Sequence, residues 1–395
     1  MNTETMRIGK RLETPGNTGM FVPARPAAAR SAGVAGDVEL KIVPSAEWDT
    51  VAAGFADVIP EQTGMFNVGH WGGEKIECLL FFRRDQLIGG GAIIVRGVPF
   101  TSTGVAVVKW GPLWRRAEDT QDNSHDIATY KSVIAELISE YCSRRGFHLT
   151  IMPPSVPEHD ERMSHALAEM GFKEGSNLAA PERYIVNTHQ DTETLMASFD
   201  QKWRYNLRKA RKNDFEIGFA DGEDGLTAFM DLYEKMMSRK GFLDSSAIGS
   251  LEDFVRNSPA ATRPSIVLVS HQGSITAGGV FFTAGEMASY MFGATDDRAL
   301  RLKAGYALHW WICEHLCSQD HVKWYDLGGN DLDAGLHQFK KGMVGKSGHI
   351  LQAPPRFHYA SKPAAKILGD SIFKLRDAKA AASRTQHKLK QWLRK

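Results

Sequence analysis

Two apolar hairpins separated by nearly two hundred residues constrain this chain more than any other feature. "IECLLFFRRDQLIGGGAIIV", from Ile76, reads as two strands joined by a polar turn at Arg83–Gln86. "PSIVLVSHQGSITAGGVFF", from Pro264, reads as two strands around Gln272-Gly273. Each hairpin is followed by a strand, a helix and another strand. In the first pass these are Val105–Trp110 (closed by Gly111-Pro112), "DIATYKSVIAELISEYCSRRG" and "FHLTIMPP". In the second they are "MASYMFGAT", "AGYALHWWICEHLCSQD" and "VKWYDLGG". Ile127, Val133, Ile134, Leu137, Ile138 and Tyr141 set a helical period in the first helix, and Tyr306, Leu308, Trp311, Ile312 and Leu316 in the second. An order repeated once at this spacing predicts tandem α/β domains of mixed α+β character, each a mixed sheet flanked by helices, and not a solenoid.

The expected division is a disordered leader over 1–36, an N-terminal domain over 37–185, a C-terminal domain over 186–358 and a basic helical tail over 359–395. Between the passes lie three expected helices: "DERMSHALAEMGF", "TETLMASFDQKWRYNLRKARKNDF" and "DGLTAFMDLYEKMMSRKGF". The leader is rich in Arg, Ala, Gly and Pro and lacks the apolar run of a secretory signal. No stretch approaches the ~18 apolar residues of a membrane span. The four cysteines form no CxxC pair, which points to a reducing compartment. The expected setting is cytoplasmic. A net charge of +2 gives no global field for nucleic acid, so any anion site must be local.

Such a site is suggested by the helix at Ser198–Asn213. Phe199, Trp203, Leu207 and Ala210 fall on one face; Arg204, Arg208 and Arg211 form a stripe beside it, with Lys202 and Lys209 beyond, and no acid lies between Gln201 and Asn213. Arginine presents a planar fork that matches phosphate. The alternative is a solvated face paired with acids such as Asp221, Glu223 or Asp224. The glycines of "IGGGA" and "TAGGV" mark either close approach of a ligand or tight packing within strands. "RLKAGYALHW" places Arg301 and Gly305 before a helix, a partial match to the Arg-x-x-Gly-x-Gly loop that holds coenzyme A pyrophosphate on helix amides. His309, Cys313 and Cys317 recur at four-residue spacing, but no second ligand cluster accompanies them, so no metal is expected. The segment Ser371–Lys395 has eight Lys/Arg and one Asp, with Leu389, Trp392 and Leu393 as a small apolar face; it reads as a membrane-surface helix or a solvated terminus.

The stretch "KWYDLGGNDLDAGLHQFKKGM", from Lys323, ends a strand in glycines and sets Lys340 behind Phe339. Asp326 closes the strand, where a carboxylate needs a partner or a role. Lys340 is either a partly buried ammonium facing a cavity, able to stabilise an oxyanion, or one of two surface lysines.

"SFDQKWRYNLRKARKNDFEI", "AGGVFFTAGEMASYMFGAT" and "YDLGGNDLDAGLHQFKKGM", with "KWGPLW" and "HLTIMPP" in the first half, resemble the FemABX (FemA/FemB/FemX) peptidyltransferase family and its BioF2-like acyltransferase relatives, over about Val38 to His358. The resemblance implies two tandem GNAT-like domains and transfer of an acyl or aminoacyl group onto an amine in cell-wall or surface-polysaccharide precursor synthesis. Known members take an amino acid from aminoacyl-tRNA and attach it to a peptidoglycan precursor. By resemblance Lys340 lies at the reaction centre behind Phe339, and Arg204 or Arg208 meets substrate phosphate. Arg211, Tyr290 and Phe339 complete the expected substrate-binding set, with Asp326 or His337 as candidate proton acceptors. No tightly bound cofactor is expected; the donor is aminoacyl-tRNA or acyl-CoA, the acceptor a phosphorylated cell-envelope precursor, and the tail a candidate peripheral membrane contact. Two departures stand out. There is no long coiled-coil insertion in the second half, and Met343-Val344 replaces the usual aromatic after Phe-Lys-Lys-Gly. The alternatives are an acyl-CoA-dependent N-acyltransferase and a non-catalytic protein binding RNA or anionic lipid.

Overall fold

Both hairpin turns carry two successive residues at positive φ, Arg84 and Asp85 in the first and Gln272 and Gly273 in the second. That geometry matches the twist of tightly paired strands. The computed structural model describes residues 38–119, 127–157, 160–175, 182–220, 222–240, 247–329 and 333–393, all within one compact unit. The expected leader and Asp331 lie outside the described residues.

In chain order the strands are β1 (Glu39–Val43), β2 (Ile76–Arg83), β3 (Gln86–Gly97), β4 (Gly104–Lys109), β5 (His148–Met152), β6 (Lys173–Glu174), β7 (Glu182–Asn187), β8 (Phe215–Phe219), β9 (Ser265–His271), β10 (Ser274–Phe282), β11 (Met287–Thr295), β12 (Trp324–Asp326), β13 (His349–Gln352) and β14 (Phe357–Tyr359). They form two seven-stranded sheets, ordered β1-β2-β3-β4-β5-β14-β6 and β13-β7-β12-β11-β10-β9-β8. Read from opposite ends the two orders correspond strand for strand. In each, four antiparallel strands lead to one parallel pair, β4 with β5 and β11 with β12.

The sixth position of each sheet is filled from the other half of the chain. β7 directly follows β6 in sequence but pairs with β12 and β13, and β14 follows β13 but inserts between β5 and β6. This corrects the expected boundaries: residue 185 lies inside β7 of the second sheet, and residue 358 inside β14 of the first. Each half lends the other a strand, so neither sheet is complete without both segments.

Helices cover the sheets as their periodicity requires. Tyr130, Val133, Ile134 and Leu137 of the Ile127–Leu137 helix join the first core, and Leu308, Ile312 and Leu316 of the Ala304–Cys317 helix join the second. Burial of each such side chain contributes roughly 1.5–3 kcal/mol. A further core spans the halves, with Trp48, Phe55, Val58, Phe66 and Leu113 packed with Phe254 and Phe282. Beside it Arg115 donates to Glu286 (2.7 Å), which also pairs with Lys323 (2.6 Å). Burial pushes the Glu286 carboxyl up, but Arg115 and Lys323 outweigh it and hold the group below the ordinary carboxylate range.

The segment expected as one helix from Thr192 is two, Thr192–Ser198 and Gln201–Ala210. Phe199 and Asp200 are extended because their neighbourhood pairs elsewhere: the Asp200 amide donates to Gly342 O (2.9 Å) and the Lys346 amide to Ser198 O (2.9 Å). The tertiary hydrogen bonds replace the helical ones. Because one core joins the halves, Phe254→Ala is expected to cost about 3–5 kcal/mol and to lower one shared unfolding transition. Urea denaturation followed by tryptophan fluorescence and by circular dichroism checks this; two separated transitions would contradict it.

Candidate active site

The two parallel pairs differ, and the difference makes a site. β4 and β5 stay paired from Val105/His148 to Lys109/Met152. β11 and β12 pair only at Met287/Trp324, Ala288/Tyr325 and Ser289/Asp326. From Tyr290 to Thr295, β11 pairs with β10 alone, and Met291 is an extra bulged residue there. The second sheet therefore opens at the carboxyl end of its parallel pair, where ligands enter open α/β sheets.

The turn after β12 is held by the Ala334–Val344 helix. Asp333 caps that helix by accepting from the Leu336 amide (2.8 Å). Lys340 lies in mid-helix and is 8% exposed, which excludes the surface-lysine alternative. Its Nζ donates to Leu327 O (2.6 Å) and to Gly329 O. Gly328 between them is at φ +75°, a conformation glycine adopts without penalty. At the far end of the helix, a Cβ on Gly342 would sit 3.3 Å from Trp203. Glycine here lets the Lys340 helix press against the basic helix.

Asp326 is buried and fully engaged. Arg183 of β7 donates to Asp326 Oδ2 through Nε (3.0 Å) and through a second guanidinium nitrogen, and the Gly328 amide donates to Oδ1 (2.8 Å). Arg183 stands diagonally across from Asp326, since Asp326 pairs with Ile185. The guanidinium also lies over the Trp110 ring, 4.4 Å from its centroid. Ile59, Trp110, Pro154 and Ser155 of the first half, Arg183 of the exchanged β7, and Met287, Ser289 and Asp326 of the second half line a small cleft here. Ser155 Oγ is buried in it with no hydrogen-bond partner.

On the opposite face of the sheet Tyr290 and Tyr325 meet His309. Its Nδ1 lies 3.2 Å from the Tyr325 hydroxyl, and its ring lies 4.6 Å from Tyr290 and 5.3 Å from Phe339. Burial, aided by the nearby Lys340 ammonium, holds His309 down to about 3. Gly279 and Gly293 make room for Tyr290, because a Cβ at Gly293 would collide with its hydroxyl. Phe339 packs on Trp203 and Tyr306. His337 sits one turn before Lys340, its Nδ1 against the Tyr184 hydroxyl, which donates to Glu182 (3.0 Å).

The Gln201–Ala210 helix buries Trp203, Leu207 and Ala210. Arg208 is exposed, and Arg204 is half-buried with its Nε shielded from water and lacking a hydrogen-bond partner. Arg211 reaches Glu314 (3.7 Å) and the Trp310 ring. Of the acids considered as partners, Glu223 pairs with Arg256 and Asp221 lies outside the described residues. Arg301 is exposed in the short Ala299–Leu302 helix, and Gly305 opens the Ala304–Cys317 helix with free space on its Cα side. Cys313 is buried and Cys317 half-buried in the second core. Among the described residues no three His, Cys, Asp or Glu side chains converge as a metal site would require.

The structure places Lys340 and Asp326 on the turn after β12, Tyr290 and Phe339 around His309 on the other face, and His337 against Tyr184 of β7. It adds three residues that sequence reasoning did not place there: Arg183, Trp110 and His309. Only His309 carried a signal, being polar on the apolar face of its helix. The lowered His309 value sets a pH dependence. Between about pH 6.5 and 3 the unfolded chain binds a proton that the folded chain refuses. Stability therefore falls with falling pH by about 1.4 kcal/mol per unit from this group. His309→Gln is expected to flatten that slope by about one proton, read from urea midpoints between roughly pH 4 and 6; an unchanged slope would contradict it.

A GNAT acetyltransferase domain model matches residues 197–341, the segment that builds this site. No curated protein matches the sequence. Among solved structures, FemX aligns at a TM-score of 0.68 and 15% identity, over 85% of this chain and 99% of FemX. The C-terminal domain of a putative lysylphosphatidylglycerol synthetase from Agrobacterium fabrum aligns at 0.53 and 12% identity, over 85% and 97%. L-PGS from Bacillus licheniformis aligns at 0.51 and 12% identity, over 83% and 96%. Among the described residues no helix is long and apolar enough to cross a membrane. The chain has the fold of FemX, two seven-stranded sheets of corresponding strand order in tandem, and the segment that matches the GNAT acetyltransferase domain model lies in the half with the open sheet.

Proposed function

We propose that this protein transfers an acyl or aminoacyl group onto an amine acceptor in the synthesis of a cell-envelope precursor. One observation carries the reading: the β11–β12 pair opens beside a buried lysine ammonium, and a cleft between the halves reaches the same two residues, Ser289 and Asp326. The names of two fold neighbours, a lysylphosphatidylglycerol synthetase and L-PGS, accord with it.

The donor carbonyl would lie in the opening and the acceptor amine would enter through the cleft. Attack by the amine nitrogen forms the new C–N bond and a tetrahedral intermediate. The Lys340 charge stabilises the oxyanion. Collapse breaks the ester or thioester bond, and the departing oxygen or sulfur takes a proton. His337 accepts the proton lost by the amine and returns it to the departing oxygen or sulfur; Asp326 is left to hold Arg183 and the Gly328 turn, because both its oxygens are occupied. Arg204 and Arg208 bind a substrate phosphate, and the shielded Arg204 Nε supports this assignment.

An aminoacyl-tRNA and an acyl-CoA donor place different demands on the chain. The open space at Gly305, at the start of the Ala304–Cys317 helix and close in sequence to Arg301, supports the second, although the Tyr306 and Ala307 amides already donate to Lys303 O. Parallel reactions with labelled aminoacyl-tRNA and labelled acyl-CoA against a crude precursor pool separate them. Lys340→Met is expected to lower kcat about 10²–10³-fold in a chain that remains folded by circular dichroism, and Arg204→Ala to raise KM about 10–100-fold. Full activity in a folded Lys340→Met chain would overturn the assignment. Product from neither donor class would overturn the transferase reading, and salt-sensitive RNA binding without product would favour a non-catalytic protein.

A further inference from the structure

The Pro363–Leu393 helix has two usable faces, and the first half takes only one. Ala365, Gly369 and Phe373 dock on the face of the first sheet over β4, β5 and β14. Phe373 lies 4.7 Å from the His358 ring, a Cβ on Gly369 would collide with His148, and Arg356 pairs with Asp377 (2.6 Å). This face is closed by direct packing.

The opposite face carries small and apolar side chains and is uncovered among the described residues. Ala364, Ile367, Ser371, Leu375, Ala378 and Ala382 recur at spacings of three and four and are all exposed. Ile367 is 68% and Leu375 72% exposed, among the most exposed large apolar side chains described. At 100° per residue these positions span a single stripe of the helix. Lys374 borders it on one side and Lys379 on the other. Both lysines are exposed, and neither has an ion pair among the described residues. The acids of this segment are already used, Asp370 by Lys366 (2.8 Å) and Asp377 by Arg356. The sequence continues the same charge, with eight Lys/Arg against one Asp from Ser371 to Lys395. Leu389, Trp392 and Leu393, which also read as an apolar face, lie in the last turns of the same helix, beyond its described side chains.

We propose that this face is a docking surface for an anionic lipid bilayer, with Ile367 and Leu375 entering the interface and Lys374 and Lys379 meeting the headgroups. An exposed apolar stripe needs a cover, and the charges around it choose which. A second copy would bring its own Lys374 and Lys379 to the same contact with no unpaired acid of this helix to offset them, whereas a self-complementary interface brings matching patches together. Anionic headgroups supply the opposite charges, and lysine stems accommodate the depth difference between apolar and charged layers. The helix lies along such a surface and does not cross it. This inference does not depend on the transferase reading.

The experiment is co-sedimentation of the full chain with vesicles of phosphatidylglycerol and phosphatidylcholine, and with phosphatidylcholine vesicles alone, at low and high salt. Binding to the anionic vesicles, at least about tenfold weaker on the neutral ones and weakened by salt, is expected. Ile367→Asp with Leu375→Asp should lower it at least about tenfold, and Lys374→Ser with Lys379→Ser should weaken it and flatten its salt dependence. All four positions face away from the core, so both variants should keep the parent's circular dichroism and thermal unfolding. No binding to anionic vesicles, or undiminished binding by the folded aspartate variant, would overturn the proposal. So would a dimer in sedimentation equilibrium that the aspartate variant abolishes while vesicles capture nothing.

Discussion

A buried ammonium needs oxygen partners, and Lys340 finds them in the backbone that ends β12. That requirement organises the second half. The carbonyls of Leu327 and Gly329 can reach one nitrogen only if the turn between them folds back, which Gly328 permits at φ +75°. The fold-back ends pairing of β12 with β11 after Asp326, and β11 runs on paired with β10 alone. The sheet opens because its central strand is short, and the strand is short because its continuation is tied to the lysine. Removing both partners for an apolar pair would be tolerable in a core; removing one leaves an uncompensated charge or unsatisfied carbonyls.

The same helix connects the opening to the basic surface. Gly342 brings it against Trp203, and the Asp200 amide bonds to the Gly342 carbonyl. The aromatic group of Trp203, Tyr306, Phe339 and His309 fills the space between. The arginine-bearing helix and the lysine-bearing helix are therefore one mechanical unit. The exchanged strands extend this coupling to the whole chain, since β7 carries Arg183 to Asp326 while belonging in sequence to the end of the first half.

Much of this was legible from the residues alone. The hairpins, the β11 strand and the Ala304–Cys317 helix follow from alternation, helical period and turn residues, all local signals. The Phe199–Trp203–Leu207–Ala210 stripe is buried as its spacing required. The failures are equally specific. β14 is three residues long and β6 two, too short to carry a period. β7 was not read as a strand, and the expected boundary at 185 cuts through it, because its partners, β12 and β13, lie far along the chain. The break at Phe199–Asp200 was invisible because the hydrogen bonds that cause it come from Gly342 and Lys346.

Sequence by itself determined the repeat of hairpin, strand, helix and strand, the basic character of the Gln201–Ala210 helix and the presence of a lysine behind an aromatic after a glycine turn. These depend on composition and spacing within one segment. Tertiary structure decided which parallel pair opens, that Lys340 is buried and Asp326 already paired, and that each half completes the other's sheet. Those outcomes depend on which distant backbone groups compete for the same hydrogen bonds, a competition settled only when the halves pack together.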